Sequence, residues 1–206
     1  VDIVRCVGFL VLITLLGHGQ APQEHRQVDL SSQAKIPVRR LYQQLASRPV
    51  GGIPTPKRMK QLSPYLSSAL LQRIEQTRAC ADDWFRQNRG RFEKPGFMWG
   101  EIGLFSGTDA LSVPRTFLIE KMESENNGSF HAFVKLTAGN PPQKPWSWRV
   151  AVVVLNENKH FVISDVIFLK DDDRFTETRL SEILTRGCDG SRWVGYGNPF
   201  KVQKRF

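Results

Sequence analysis

The chain has 206 residues, 40% hydrophobic and 10% aromatic, with a formal charge of +9 and a pI near 9.8. That length holds one globular domain with a real core plus a processed end and leaves two domains cramped. The charge favours solubility and attraction to anionic surfaces, yet no run of five or six basic residues and no recognition motif accompanies it, which speaks against nucleic acid.

The N-terminus reads as a targeting segment. Arg5 precedes the apolar run "CVGFLVLITLL", which has the length of a signal-peptide core and is too short to span a bilayer. Small residues at Gly17 and Gly19 place cleavage after Gly19, so residues 1–19 are expected to be a signal peptide, with an uncleaved anchor as the alternative. After cleavage no integral span remains, and Cys80 and Cys188 are the cysteines left. Two cysteines in an exported chain pair more often than not.

Residues 20–35 are polar and without period and read as a flexible leader, so the domain is expected over 36–206. Pro37 suits the first turn of a helix, and Val38, Leu41, Tyr42 and Leu45 keep one helical face. Pro56 opens a second short helix through Leu62. A longer one is predicted from Ser68 to Arg89, where Leu70, Ile74, Thr77, Ala81, Trp84 and Phe85 recur at helical spacing before Gly90. Cys80 flanks that apolar face.

After Gly90 the sequence is rich in glycine and aromatics, and we expect irregular structure with a short strand at Ile102–Phe105. Four runs rich in β-branched and aromatic residues follow: 115–122, 130–137, 146–156 and 159–169. "ENNG" predicts an Asn-Gly hairpin and "NENK" a short loop, and strands joined so tightly must be antiparallel. Apolar positions on both faces of residues 146–155 predict a central strand covered on each side. A helix over 177–186 and a last strand through "RWVGY" complete an α+β fold: N-terminal helices followed by a curved antiparallel meander.

"PVRRLYQQLA", "PKRMKQLSPYLSSALLQRI", the aromatic segment after Gly90 and the meander ending in "RWVGYG" together resemble exported bacterial proteins of the nuclear-transport-factor-two-like, cystatin-like superfamily. The resemblance covers residues 36–197 and implies a cone in which a curved sheet wraps helices. It does not imply one function, because that scaffold hosts isomerases, dehydratases, binding modules and transport adaptors. Enzymes of the superfamily use an Asp, His or Tyr inside the cone, and no complete set matches here.

Cys188 follows Gly187, an expected helix C-terminal residue, and precedes Asp189. Helix dipole and carboxylate both raise a thiol pKa, the reverse of what a nucleophile needs. A disulfide to Cys80 is expected instead, with two buried free thiols as the alternative; it would close a loop of about 100 residues for roughly 4–5 kcal/mol of stabilisation in the chain-entropy model. Neither cysteine has a partner at ligand spacing, and the three adjacent carboxylates of "KDDDRF" lack the alternation of a calcium loop, so no metal is expected.

Asp165 is the candidate acid or base. In period two it shares a face with Phe161, Ile163 and Ile167, an apolar setting suited to proton transfer, against the plainer role of a strand-end Asp bonded to a backbone amide or an arginine. Trp99, Trp148 and His160 are candidate ligand contacts, with Trp146 and His131 in similar settings, and tryptophans in a meander more often serve the core. Asn127, Gly128 and Ser129 also spell a glycosylation acceptor, although the hairpin accounts for them. The basic side chains, among them Arg39, Arg40, Lys57, Arg58 and Lys60, read as solvated helix faces or as an anion-binding stripe.

These readings lead to a periplasmic or secreted, non-enzymatic binding module, without cofactor, for a small molecule or a protein, with an anionic envelope component as a further candidate partner. The alternative is a periplasmic isomerase, dehydratase or hydrolase that uses Asp165.

Overall fold

A computed structural model describes residues 23–92, 100, 102–107, 113–139, 144–169 and 177–196. The apolar leader, Trp99 and the triple-aspartate segment lie outside the described residues. Helices α1 (Gln23–Ser47), α2 (Pro56–Leu62) and α3 (Ser68–Gln87) precede a meander of β1 (Thr116–Ser124), β2 (Phe130–Ala138), β3 (Trp146–Glu157) and β4 (His160–Phe168). The chain continues through β5 (Thr178–Arg179), α4 (Leu180–Thr185), β6 (Cys188–Asp189) and β7 (Arg192–Trp193). The main sheet has the order β1-β2-β3-β4-β5, antiparallel throughout, and β6 and β7 form a separate ribbon. The fold is α+β, with helices packed against an antiparallel sheet, as the order of elements in the sequence implied.

The helical face of α1 runs one turn further back than its periodicity suggested. Ala34 is fully buried and sits four residues before Val38, continuing the stripe of Leu41, Tyr42 and Leu45, all buried. Residues 23–35 are therefore helical and not a flexible leader, and Pro37 lies inside the helix instead of opening it. A small alanine at the spacing i, i+4 carries little hydropathy signal, yet packs as closely as a larger residue. This stripe meets Val134, Val150, Val152, Ile163 and Val166 in one core, and the Tyr42 hydroxyl donates to Phe105 O at 3.0 Å.

α3 begins where Ser67, its N-cap, accepts from Leu70 N, and its apolar face buries Leu70, Ile74, Thr77, Cys80 and Trp84. Other predicted elements shrink. Ile102–Phe105 is not a strand: Gly103 makes an isolated bridge to Gly51, and Leu104–Ser106 form a turn. The last helix is short because Thr178 and Arg179 first pair with Phe168 and Ile167, extending the sheet by one strand. The predicted final strand is only the β7 arm of its own ribbon.

β3 is the central strand, and Ala151 on the face away from α1 is as buried as Val150 and Val152 on the near one. Two bulges bend the sheet. One lies between Ile119 and Lys121 in β1; the other leaves Ser164 unpaired in β4, where Val153 faces Asp165 and Val154 faces Ile163.

The two hairpins turn differently. In the first, Gly128 N donates to Glu125 O, and Gly128 alone is left-handed, with φ +79°. It is a three-residue loop with a glycine bulge, and not the two-residue Asn-Gly turn that "ENNG" suggested. In the second, Asn158 and Lys159 both have positive φ, 53° and 68°, the mark of a type I′ turn. Lysine in that region carries a steric cost of about 1 kcal/mol that glycine avoids. Lys159→Gly is therefore expected to raise unfolding stability by about 0.5–1 kcal/mol and Lys159→Val to lower it, as read from urea midpoints; a Gly variant no more stable than the parent would contradict the turn assignment.

Candidate functional site

Asp165 lies directly after the bulge at Ser164, and the bulge changes its surroundings. Phe161 and Ile163 keep the core side with Val166 and Phe168, whereas Asp165 and Ile167 face the opposite side of the sheet in register with Val153 and Ala151. The predicted shared face of Asp165 with Phe161 and Ile163 is thus corrected: one extra residue reverses the alternation of everything beyond it. Sequence periodicity has no mark for such an insertion.

Asp165 is 8% exposed, and its carboxylate is surrounded by donors. Oδ1 accepts from Val166 N at 2.9 Å and from Ser181 N at 3.0 Å; Oδ2 accepts from Ser181 Oγ at 2.6 Å, with Arg179 Nη1 at 3.7 Å. Ser181 is in the first turn of α4, whose own N-cap residue, Arg179, has no side-chain acceptor to offer. Asp165 therefore supplies from the sheet what a capping Ser or Asp would supply locally, a negative acceptor for the free N–H groups of a helix start.

The same arrangement recurs at two other helix ends. Glu157, at the end of β3, accepts from Ser68 N at the start of α3 at 3.1 Å, and hydrogen bonds from Ser68 hold its carboxyl below the usual carboxylate range. At the opposite kind of terminus, Arg58 of α2 donates through Nη2 to Gln44 O and Arg48 O, both at 2.7 Å, closing the C-terminal carbonyls of α1. Its Nη1 also reaches the Gln44 and Gln61 side chains.

The remaining candidates have separate places. Trp148 is buried with its indole N–H donated to Ser106 O at 2.8 Å, and it stacks on the half-exposed Trp146 with centroids 4.4 Å apart. His160 is exposed at the start of β4, and His131 is half-buried with Nδ1 3.4 Å from a Glu125 oxygen. The structure does not gather Asp165, Trp148 and His160 at one point. No group of three or more His, Cys, Asp or Glu side chains fit to hold a metal occurs among the described residues.

Cys80 and Cys188 are joined as a disulfide with Cα atoms 6.1 Å apart and a separation of 108 positions in sequence. The bond ties the buried face of α3 to the β6–β7 ribbon, and Gly187 beside it is left-handed, with Trp193 packed where a Cβ would stand. Asp83 pins the other arm of the ribbon, accepting from Trp193 N at 2.9 Å, while Gln87 Nε2 at 2.8 Å and Arg86 Nη2 at 3.1 Å complete its shell. The Trp193 amide, chiefly, holds the Asp83 carboxyl below its ordinary range.

A feature that sequence reading listed only as one basic pair among several is the solvent face of α1. Ser32, Lys35, Ile36, Arg39, Arg40 and Gln43 recur at three- and four-residue spacing and line an open surface depression. Lys35, Arg39 and Arg40 have no ion-pair or hydrogen-bond partner among the described residues, and Ile36 between them is 57% exposed. The signal for it in the sequence is the same 3.6-residue period that marks the buried stripe, read from the other side of the helix.

No helix among the described residues is long and apolar enough to cross a membrane. No family, curated protein or solved structure matches the chain significantly.

Two expectations follow from the bonding. Asp165→Ala leaves one buried and two part-buried donors without their acceptor and should lower unfolding stability by about 2–3 kcal/mol, with Asp165→Asn closer to 1 kcal/mol, in urea titrations. Stability unchanged in both variants would mean that the carboxylate does not hold α4. For Asp83 the lowered folded-state pKa means that its contribution is complete above the ordinary carboxylate value of about 3.9 and is lost as pH falls through the folded value. In an acid titration followed by NMR, the Trp193 amide resonance should therefore shift only below about pH 4. Asp83→Asn should remove that inflection, and an inflection at higher pH would show that another group controls the ribbon.

Proposed function

We propose that the protein is an exported, non-catalytic binding module whose basic α1 face takes an acidic segment of a protein partner. The observation that carries this reading is the stripe of Lys35, Arg39 and Arg40, cations that no acidic side chain of the described residues neutralises, set around an exposed isoleucine. Elsewhere several acidic side chains already face cations: Glu120 with Arg149, Asp83 with Arg86, Glu123 with Lys121 and Asp165 with Arg179.

The spacing selects the kind of occupant. From Lys35 to Gln43 the helix rises about 12 Å, longer than a single phosphate or carboxylate and suited to an extended acidic segment. Ile36 adds an apolar contact that a bare polyanion would not use, and a protein segment would. The charge would steer such a partner into register more than it would set affinity.

The disulfide supports the export part of the reading, since such bonds persist in oxidising compartments. The engagement of Asp165 by α4 weighs against the enzyme alternative, because both carboxylate oxygens already accept structural hydrogen bonds. The likeness to the cone superfamily belongs to the proposal too, as a scaffold on which partner binding needs no catalytic set.

A photo-crosslinking residue at position 36, in the full chain expressed in its own host, tests the proposal. We expect one crosslinked protein, joined through a peptide rich in Asp and Glu. Its yield should fall at least tenfold on Arg39→Glu with Arg40→Glu and likewise between low and high salt. Both substitutions are at exposed positions with no partner among the described residues and should leave stability within about 0.5 kcal/mol. A crosslink that is unaffected by charge reversal, or absent, overturns the docking face.

A further inference from the structure

The loop between β1 and β2 contains Asn127-Gly128-Ser129, the only Asn-x-Ser/Thr triplet without proline in the sequence. We propose that Asn127 is an acceptor for N-linked oligosaccharide, a proposal that rests on the export reading above. The triplet is necessary for such transfer but common by chance, so the weight falls on how the structure presents it.

Asn126, Asn127 and Gly128 are all exposed at the tip, and open space surrounds the position of a Cβ at Gly128. The Asn127 side chain is held in one orientation. Ser129 N donates to Asn127 Oδ1 at 2.9 Å, and the Ser129 hydroxyl lies 2.7 Å from the same oxygen. A backbone N–H can only donate, so the atom facing it is the amide oxygen, and Nδ2, the atom that would be glycosylated, is turned outward. Nδ2 has no hydrogen-bond partner among the described residues.

The hairpin by itself does not demand this residue set. Gly128 is required by its left-handed conformation, and Ser129 contributes to the hairpin ladder a backbone carbonyl, accepting from Glu125 N, that any residue could provide. The hydroxyl is additional, and it sits on the acceptor amide. Glu125 stands two residues before Asn127, so the segment Glu125-Asn126-Asn127-Gly128-Ser129 also fits transferases that read an acidic residue at that position.

The donor is an oligosaccharide carried on a polyprenyl diphosphate. In the transfer, Nδ2 forms a bond to the anomeric carbon of the first sugar while the bond from that carbon to the diphosphate oxygen breaks. The polyprenyl diphosphate leaves with the electron pair, and one Nδ2 proton is released. No oxidant or reductant is involved. A glycan at this tip would stand beside β1, the edge strand of the sheet, where a bulky solvated group hinders edge-to-edge pairing between chains.

The test uses the chain isolated from its own source and digested without reduction. Trypsin cuts after Lys121 and Lys135, so residues 122–135 report Asn127 while the same digest reports the Cys80–Cys188 linkage. We expect the 122–135 peptide to carry a sugar-sized mass addition localised to Asn127 in most molecules. Ser129→Ala, which removes only an exposed-loop hydroxyl, should lose the addition at least tenfold, and Ser129→Thr should retain it. A bare peptide in chains that carry the disulfide overturns the acceptor and leaves export standing. A bare peptide with both thiols free overturns export and the acceptor together.

Discussion

The structure depends first on the seam between α1 and the inner face of the sheet. Ala34, Val38, Leu41, Tyr42 and Leu45 lose almost all their accessible surface there, against valines and isoleucines of β2, β3 and β4. Burying each large apolar side chain contributes about 1.5–3 kcal/mol, whereas an exposed ion pair contributes about 0–1 kcal/mol, so the seam governs where the helix lies. Tyr42 adds direction to it. Burial pushes its phenol pKa far above normal, which keeps the hydroxyl a neutral donor to Phe105 O. With one stripe of α1 committed to the core, the remaining stripe is free of packing demands, and Lys35, Arg39 and Arg40, without partners among the described residues, stand there.

Around that seam, helix ends are closed by groups from other elements. Arg58 satisfies carbonyls of α1, Glu157 meets the start of α3, and Asp165 meets the start of α4. Each bond brings a charge to a backbone group at a helix end, which is stronger than a neutral hydrogen bond and ties two elements together. Asp165 and Glu157 are therefore polar residues on strands because the sheet supports helices that lack a complete cap of their own. The disulfide and Asp83 do the same for the terminal ribbon, one through covalent closure and one through the Trp193 amide.

The strands of the meander were legible because β-branched runs bounded by turn residues leave little choice of element; predicted and observed ends differ by one or two residues. α3 was legible from its long apolar period and from Gly90 as its stop. The start of α1 was not, since Ala34 and the polar residues before it carry a weak hydrophobic signal, and Pro37 suggested a beginning where there is an interior position. The candidate site was legible in part. Asp165 stands out in the sequence as a carboxylate within an apolar run, but its partner Ser181 is 16 positions away, and that separation leaves no local pattern to read. Trp148 belongs to the core side of its strand, as its alternation allowed, and its N–H partner lies 42 positions back in a turn.

By itself the sequence determined the α+β order, the antiparallel meander, the cysteine pair available for bonding and the positive charge, because these follow from local period, short connections and composition. The tertiary structure alone decided which side of the sheet Asp165 faces, which helix ends the charged residues close and which cations have no partner among the described residues. A one-residue bulge reverses a strand's faces, and the partner of a charge is chosen by proximity in three dimensions, and neither is encoded in the spacing of residues along the chain.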